Sequence, residues 1–440
     1  MLLVHNERLL DYLKHHYTLA DVERLTQFLR AAGTFDFPAL STGLYPAAHL
    51  AVDDPSGYAN VWIRDNVHVA HALTIDGQTA AAVRTVQGLA AFLQTQLPRI
   101  ARILDGSADH ADPMNRPHIR FDGRQLAELD ERWSHAQNDA LGYFLWIAAR
   151  LLRTGELPVT DEVAQLVAAV ALFLEKIDFV RDEDSGHWEE TRKVNASSIG
   201  PATAGLRALQ QALERAELAS RCHFHGEHVT IARLEPLVAA GLAALESSLP
   251  FECRDPDAGK RREADAALLF LIYPLEIVGP TQADAIIELV LRDLLGEIGI
   301  RRYRGDSYWC ADYKQKLAAD QRSADFSDDL SMRDALLTPG DEAQWCIFDP
   351  ILSAVYGQRF LQNGDPRCLA EQTRFLNRSL AHLTADDSRF GGLRCPESYY
   401  REERRYVPVD QTPLLWTQGN LLVALRLMQR SLQQDSSPFV

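Results

Sequence analysis

Two short segments of this chain carry carboxyls in settings suited to proton transfer. One is His187-Trp188-Glu189-Glu190-Thr191; the other is Pro396-Glu397, with Tyr399, Tyr400 and Tyr406 close behind. Hydrolysis of a glycosidic bond uses such a pair. One carboxyl stays protonated and gives its proton to the leaving oxygen, and the other acts as base on water or as nucleophile. A carboxyl keeps its proton when apolar surroundings or a neighbouring like charge raise its pKa. Trp188 and Glu190 supply both influences for Glu189. Spacing alone does not select these residues from the 61 acidic side chains, and Glu402 and Glu403 compete with Glu397.

Aromatic residues accompany the same segments. Trp62, Trp133, Trp188, Trp309 and Trp416 all fall at or beside predicted loops. A sugar offers apolar C–H faces that stack on aromatic rings, and hydroxyls that pair with Arg and Asp. The run Trp62-Ile63-Arg64-Asp65 offers both kinds of partner. Rival chemistries lack their motifs: the chain has no His-Glu-x-x-His, no Gly-rich phosphate loop, no strand-borne Gly-x-Gly-x-x-Gly and no Gly-x-Ser-x-Gly. Cys222, His223, His225 and His228 cluster locally, but no Cys-x-x-Cys or helical His pair completes a metal set. They read as a polar loop before a helix, and neither metal nor cofactor is expected.

The elements that must position these residues are helical. After Thr160, a good N-cap, Val163, Leu166, Val167, Val170, Phe173, Leu174 and Ile177 form one apolar stripe at the 3.6-residue period. The same reading predicts helices over about 7–31, 65–76, 78–97, 135–152, 161–177, 197–218, 227–248, 263–275, 281–295, 342–359, 366–384 and 411–430. Long period-2 alternation is absent, so the fold class is all-α. The longest connections precede the second, fourth, tenth and twelfth helices, where loops of such length are usually functional. Twelve helices arranged as six antiparallel hairpins in a closed ring would bring these loops, with the one before the sixth helix, to one mouth. The acidic stretch from Ser323 to Asp341 reads as a solvated flap. No linker divides the chain, so residues 1–440 are read as a single domain.

Composition narrows the partners. The 46% apolar and 24% charged fractions are those of an ordinary globular protein. A formal net charge of −16 argues against a nucleic acid, whose phosphates need clustered Lys and Arg. The sequence has no apolar run long enough for a membrane span. The first residues do not read as a secretory leader, and six scattered cysteines fit reduced thiols, so the cytoplasm is the expected compartment.

An ordered set of motifs then matches a known family. It comprises Thr42-Gly43-Leu44-Tyr45-Pro46, Trp62-Ile63-Arg64-Asp65-Asn66, Trp133-Ser134-His135-Ala136-Gln137-Asn138-Asp139 and Trp188-Glu189-Glu190. It continues through Asn195-Ala196-Ser197-Ser198-Ile199-Gly200, Asp265-Ala266-Ala267-Leu268-Leu269, Pro396-Glu397-Ser398-Tyr399 and Trp416-Thr417-Gln418-Gly419-Asn420. In these motifs the chain resembles the glucoamylase-like catalytic domain of glycoside hydrolase family 15. It is more similar still to the related N-terminal domain of the phosphorylase kinase α and β subunits.

The resemblance implies an (α/α)6 barrel and exo-action on α-1,4-linked gluco-oligosaccharides or glucans, with inversion and release of β-glucose. It implies Glu189 as general acid and Glu397 as general base, with the two carboxyls roughly 6.5–9.5 Å apart for inversion. It places Arg64 and Asp65 at the terminal glucose, Trp133 over the cleaved bond, and Glu190 and Arg304 among the substrate-binding residues. Trp62, Gln137, Asp139, Trp188 and Trp309 complete the expected sugar-binding set. Two alternatives stay open: a glucan-binding regulatory protein without catalysis, and an inverting phosphorylase on a similar barrel.

Overall fold

The computed structural model describes residues 2–49 and 56–435. Its framework is twelve helices: α1 (Leu19–Ala31), α2 (Ile63–Ile75), α3 (Thr79–Thr95), α4 (Asn138–Thr154), α5 (Asp161–Lys176) and α6 (Ala196–Ala212), then α7 (Ile231–Ser248), α8 (Leu269–Ile272), α9 (Pro280–Asp293), α10 (Phe348–Asn363), α11 (Pro366–Ala381) and α12 (Leu415–Asp435). The even-numbered helices form an inner ring, in which α2, α4, α6, α8, α10 and α12 each touch the next and α12 closes back on α2. The odd-numbered helices lie outside them. This is the (α/α)6 barrel.

Inner helices are buried on nearly all sides, polar residues included. Every residue of α2 from Ile63 to Leu73 is buried, as are fourteen residues each of α4 and α6. The tightest crossing, α4 against α6, depends on glycine. A Cβ at Gly142 would meet the backbone of Ala202 at 2.3 Å, and one at Gly205 would meet the Gly142 carbonyl at 2.6 Å.

Several boundaries differ from the periodicity, each for a local reason. The first predicted helix is broken: a 3-10 turn spans Glu7–Leu9, and α1 starts afresh where Thr18 and Asp21 form a capping box. An additional helix, Leu97–Leu104, opens with Pro98 in its first turn. The helix predicted over 263–275 shrinks to one 3-10 turn plus α8, because Tyr273 precedes Pro274 and is held extended. The Cys222–His228 segment is a small hairpin, His223–Phe224 against Glu227–His228.

Strand pairing accounts for the two late starts. Gln344–Trp345 pairs with Ser398–Glu402, which pairs in turn with Arg405–Pro408, so α10 begins only at Phe348. The Glu397 N–H donates to the Gln411 carbonyl at 3.1 Å, which takes residue 411 out of the final helix. Among the described residues no helix is long and apolar enough to cross a membrane.

Candidate active site

The loops preceding α2, α4, α6, α10 and α12 meet around one cleft of about 790 Å³. Its walls include Tyr58, Trp62, Arg64 and Asp65 from the first of these loops and the first turn of α2. Trp133 comes from the second, and Trp188 and Glu189 from the third. Arg302, Tyr308 and Trp345 come from the fourth, and Glu397 and Trp416 from the last loop and the start of α12.

Glu189 ends a short 3-10 turn, Gly186–Trp188, in the left-handed conformation at φ +58°. A side chain in that region is uncommon and strained. Here the reversal turns Glu189 toward the cleft and Glu190 into the interior. Trp62 Nε1 donates to Glu189 Oε1 at 2.7 Å and Gln137 Nε2 donates to the same oxygen at 3.1 Å. Arg64 Nη2 lies 3.7 Å from it. Burial raises this carboxyl above its ordinary pKa, against the opposing charges of Arg64 and Arg120. Because these donors converge on Oε1, Oε2 is the oxygen placed to carry a proton.

Glu397 is held between two backbones: Cys346 N–H donates to its carbonyl at 2.9 Å, and its own N–H goes to Gln411. Its side chain is 3% exposed. The Tyr58 hydroxyl donates to Oε1 at 2.8 Å, and Tyr58 and Tyr308 hydroxyls lie 3.0 Å apart. Oε2 is buried and has no hydrogen-bond partner among the described residues. Burial pushes the carboxyl up to about 8, and the Tyr58 hydrogen bond and the Arg302 charge pull the other way. The rings of Tyr58 and Trp62 sit 5.4 Å apart, so two adjacent aromatics tether the two carboxyls. Sequence reading passed over Tyr58; its signal is the position four residues before Trp62 in the same loop.

Arg64 and Asp65 open α2. Arg64 is fixed by Asp139 at 2.6 Å and Gln137 Oε1 at 3.1 Å, so Gln137 and Asp139 act behind the cleft wall. Burial pushes Asp65 up to about 7 despite Arg64 beside it. The Arg120 guanidinium lies between Trp62 and Trp133, 4.9 and 3.9 Å from their ring centres, and locks both indoles. Trp188 Nε1 donates to Asp265 Oδ1 at 2.9 Å.

Besides Gln137 and Asp139, the structure does not bring three further expected residues to the cleft. Glu190 is fully buried and binds Arg262, Arg302, Arg333 and Tyr303, so its carboxylate has no face left for a sugar. Burial alone would raise it, but the three guanidiniums outweigh that and hold it well below the usual carboxylate range. Arg304 is 68% exposed and pairs with Asp293 at 2.9 Å. Arg302 stands in the cleft instead, chelated by Asp306 at 2.7 and 2.5 Å and surrounded by the rings of Trp188, Tyr308 and Trp345. Trp309 is fully buried against Tyr313 and Tyr400, and its neighbour Tyr308 takes the cleft position. Glu402 and Glu403 lie on the hairpin away from the cleft. The flap from Ser323 is not wholly solvated, since Ser323, Ala324, Asp325 and Phe326 line the cleft.

A six-hairpin helical ring with two buried carboxyls facing one aromatic cleft defines a glycosidase-like architecture. The chain belongs to the glycosyl hydrolases family 15, whose family model matches residues 28–326. Among its relatives is the uncharacterised lipoprotein YgeQ of Escherichia coli, 29% identical over 208 residues, covering 42% of this chain and 78% of that protein. Another is a probable phosphorylase b kinase regulatory subunit alpha of Caenorhabditis elegans, 28% identical over 282 residues. That match covers 57% of this chain and 21% of the subunit, so the chain spans about a fifth of that relative. Among solved structures, a glycosidase variant in complex with glucose superposes with a TM-score of 0.63 at 17% identity, covering 93% of this chain and 97% of that one.

Proposed function

We propose that this chain is an inverting, exo-acting α-glucosidase that releases glucose from soluble α-linked gluco-oligosaccharides. The observation that carries this reading is the pairing of Glu189 and Glu397 across one cleft, each held through Oε1 by an aromatic donor. Family membership and the glucose-bound glycosidase of the same fold support the substrate class. Glu189 Oε2 gives its proton to the glycosidic oxygen as the bond to C1 breaks. A water hydrogen-bonded to Glu397 Oε2 attacks C1 from the opposite face and passes its proton to that oxygen, leaving β-glucose. Arg64, Asp65 and Arg302 offer charged partners to the hydroxyls of the terminal glucose, while Trp62, Trp133 and Trp416 offer rings to its apolar faces.

The test is a panel of α-linked gluco-oligosaccharides with the product anomer read by NMR at once after mixing. The expected product is β-glucose. The α-anomer, or unchanged turnover in Glu189→Gln, would overturn the assignment.

A second reading, a glucan-binding protein without turnover, is favoured by the relatives among phosphorylase kinase regulatory subunits. It predicts oligosaccharide binding with no glucose release from any member of the panel.

A further inference from the structure

The stretch following the short helix Tyr313–Lys316 does more than border the cleft. It is fastened at two points that lie on different walls. On one side, Arg333 in the short helix Ser331–Asp334 is buried, with Nη2 donating to Glu190 Oε1 at 2.7 Å and Nε to Ser307 Oγ at 3.0 Å. Ser307 Oγ in turn donates to Asp334 at 2.6 Å. The Arg333 guanidinium also sits 5.8 Å from the Tyr308 ring and 5.7 Å from the Phe326 ring. On the other side, Asp328 pairs with Arg132 at 3.4 Å, next to Trp133. Both partners of this second tie are exposed, so solvent screening leaves it weak. The firm attachment is Arg333, and Asp328 sets the direction in which the flap lies.

The flap therefore runs from the Tyr308 wall to the Trp133 wall, with Ser323 to Phe326 facing inward. Beneath it the cleft holds about 790 Å³. A long glucan whose end is seated at Glu189 has to lead its remaining units out through the mouth that this segment crosses.

We propose that the flap from Ser323 to Arg333 caps the outgoing side of the cleft and restricts it to short α-glucosides, with Phe326 as the limiting wall. This rests on the reading of the cleft as an α-glucoside site. The selectivity is steric: a longer chain has to displace Phe326 from its contact with Arg333.

Binding separates this proposal from catalysis. Glu189→Gln is titrated by calorimetry with maltose, maltotriose and maltoheptaose. Maltotriose is expected to bind at least about tenfold more tightly than maltoheptaose, a difference of roughly 1.4 kcal/mol. In the same background, Phe326→Ala, and separately a variant with residues 323–329 replaced by a short Gly-Ser linker, should bring the two affinities within a few-fold. Retained maltose binding shows that each variant is folded. Equal affinities in the parent, or an unchanged ratio when the flap is cut, overturn the cap. If none of the three sugars binds the parent, the α-glucoside reading itself fails and the cap fails with it.

Discussion

Glu189 and Glu190 are adjacent in the chain and stand in opposite environments. Glu189 has donors on one oxygen only and borders the cleft, and burial raises its pKa. Glu190 is saturated by three guanidiniums and a tyrosine hydroxyl, and its pKa is depressed. The first arrangement keeps a carboxyl reactive, since its charged form is poorly supported and its proton can move. The second makes a carboxylate an anchor. It ties residue 262, on the connection before α8, to residues 302 and 333, on the connection before α10. One thing is common to both: neither environment is local, because the partners come from segments more than fifty residues away.

That contrast can be broken from either side. Glu189→Gln keeps the shape and removes the proton. Turnover should fall by about 10²–10⁴-fold, with thermal stability unchanged or higher, as read by steady-state kinetics and calorimetry. Glu190→Gln should do the reverse. Removing the shared carboxylate strands the buried guanidiniums and should destabilise the fold by about 3–5 kcal/mol in chemical denaturation, before any effect on chemistry is counted.

The two kinds of carboxyl also differ in the sign of their pH dependence. Glu397 titrates at about 8 in the fold against an ordinary 4.5, so folding favours its protonated form. That contribution is full below pH 4.5 and is lost as the pH rises through 8. Glu190 is depressed, so its contribution is present above its ordinary pKa and is lost only on acidification. Melting temperatures from pH 4 to 9 should therefore show Glu397→Gln gaining on the parent as pH rises. Glu190→Gln should instead close its deficit only toward acid pH. A proposed base that must ionise and a proposed acid that must stay protonated, both raised by burial, predict a bell-shaped kcat/KM profile displaced above the ordinary carboxylate range.

Smaller changes sharpen the picture. Tyr58→Phe deletes the hydrogen bond that its hydroxyl gives the Glu397 carboxyl and should lower kcat/KM by about tenfold, consistent with the worth of a hydrogen bond to a charged group. Arg304→Ala removes an exposed pair with Asp293 and should change stability by less than about 0.5 kcal/mol and turnover not at all.

Much of the architecture was legible beforehand because it depends on patterns within single segments. The apolar stripe from Val163 to Ile177 is what a helix packed on one face requires, and α5 occupies that stretch. The alternation of short and long connections reflects hairpins pointing one way, so the loop-borne Trp62, Trp133, Trp188 and Trp416 meet at one mouth. The errors fall where strands intrude. The three-stranded sheet around Glu397 shifted the starts of α10 and α12, and no run of residues there alternates long enough to reveal it.

By itself, the sequence determined that the chain is built of helices with its chemistry on alternate loops, since helix periodicity and connection length are local properties; the closed ring was what the family resemblance implied. It also narrowed the reactive carboxyls to a few motifs. Only the tertiary structure decided which members of adjacent pairs face the cleft: Glu189 over Glu190, Arg302 over Arg304, Tyr308 over Trp309. Those choices turn on positive φ values at Glu189 and Trp309 and on partners up to 250 residues distant. A side chain's direction depends on both, and no local pattern records either.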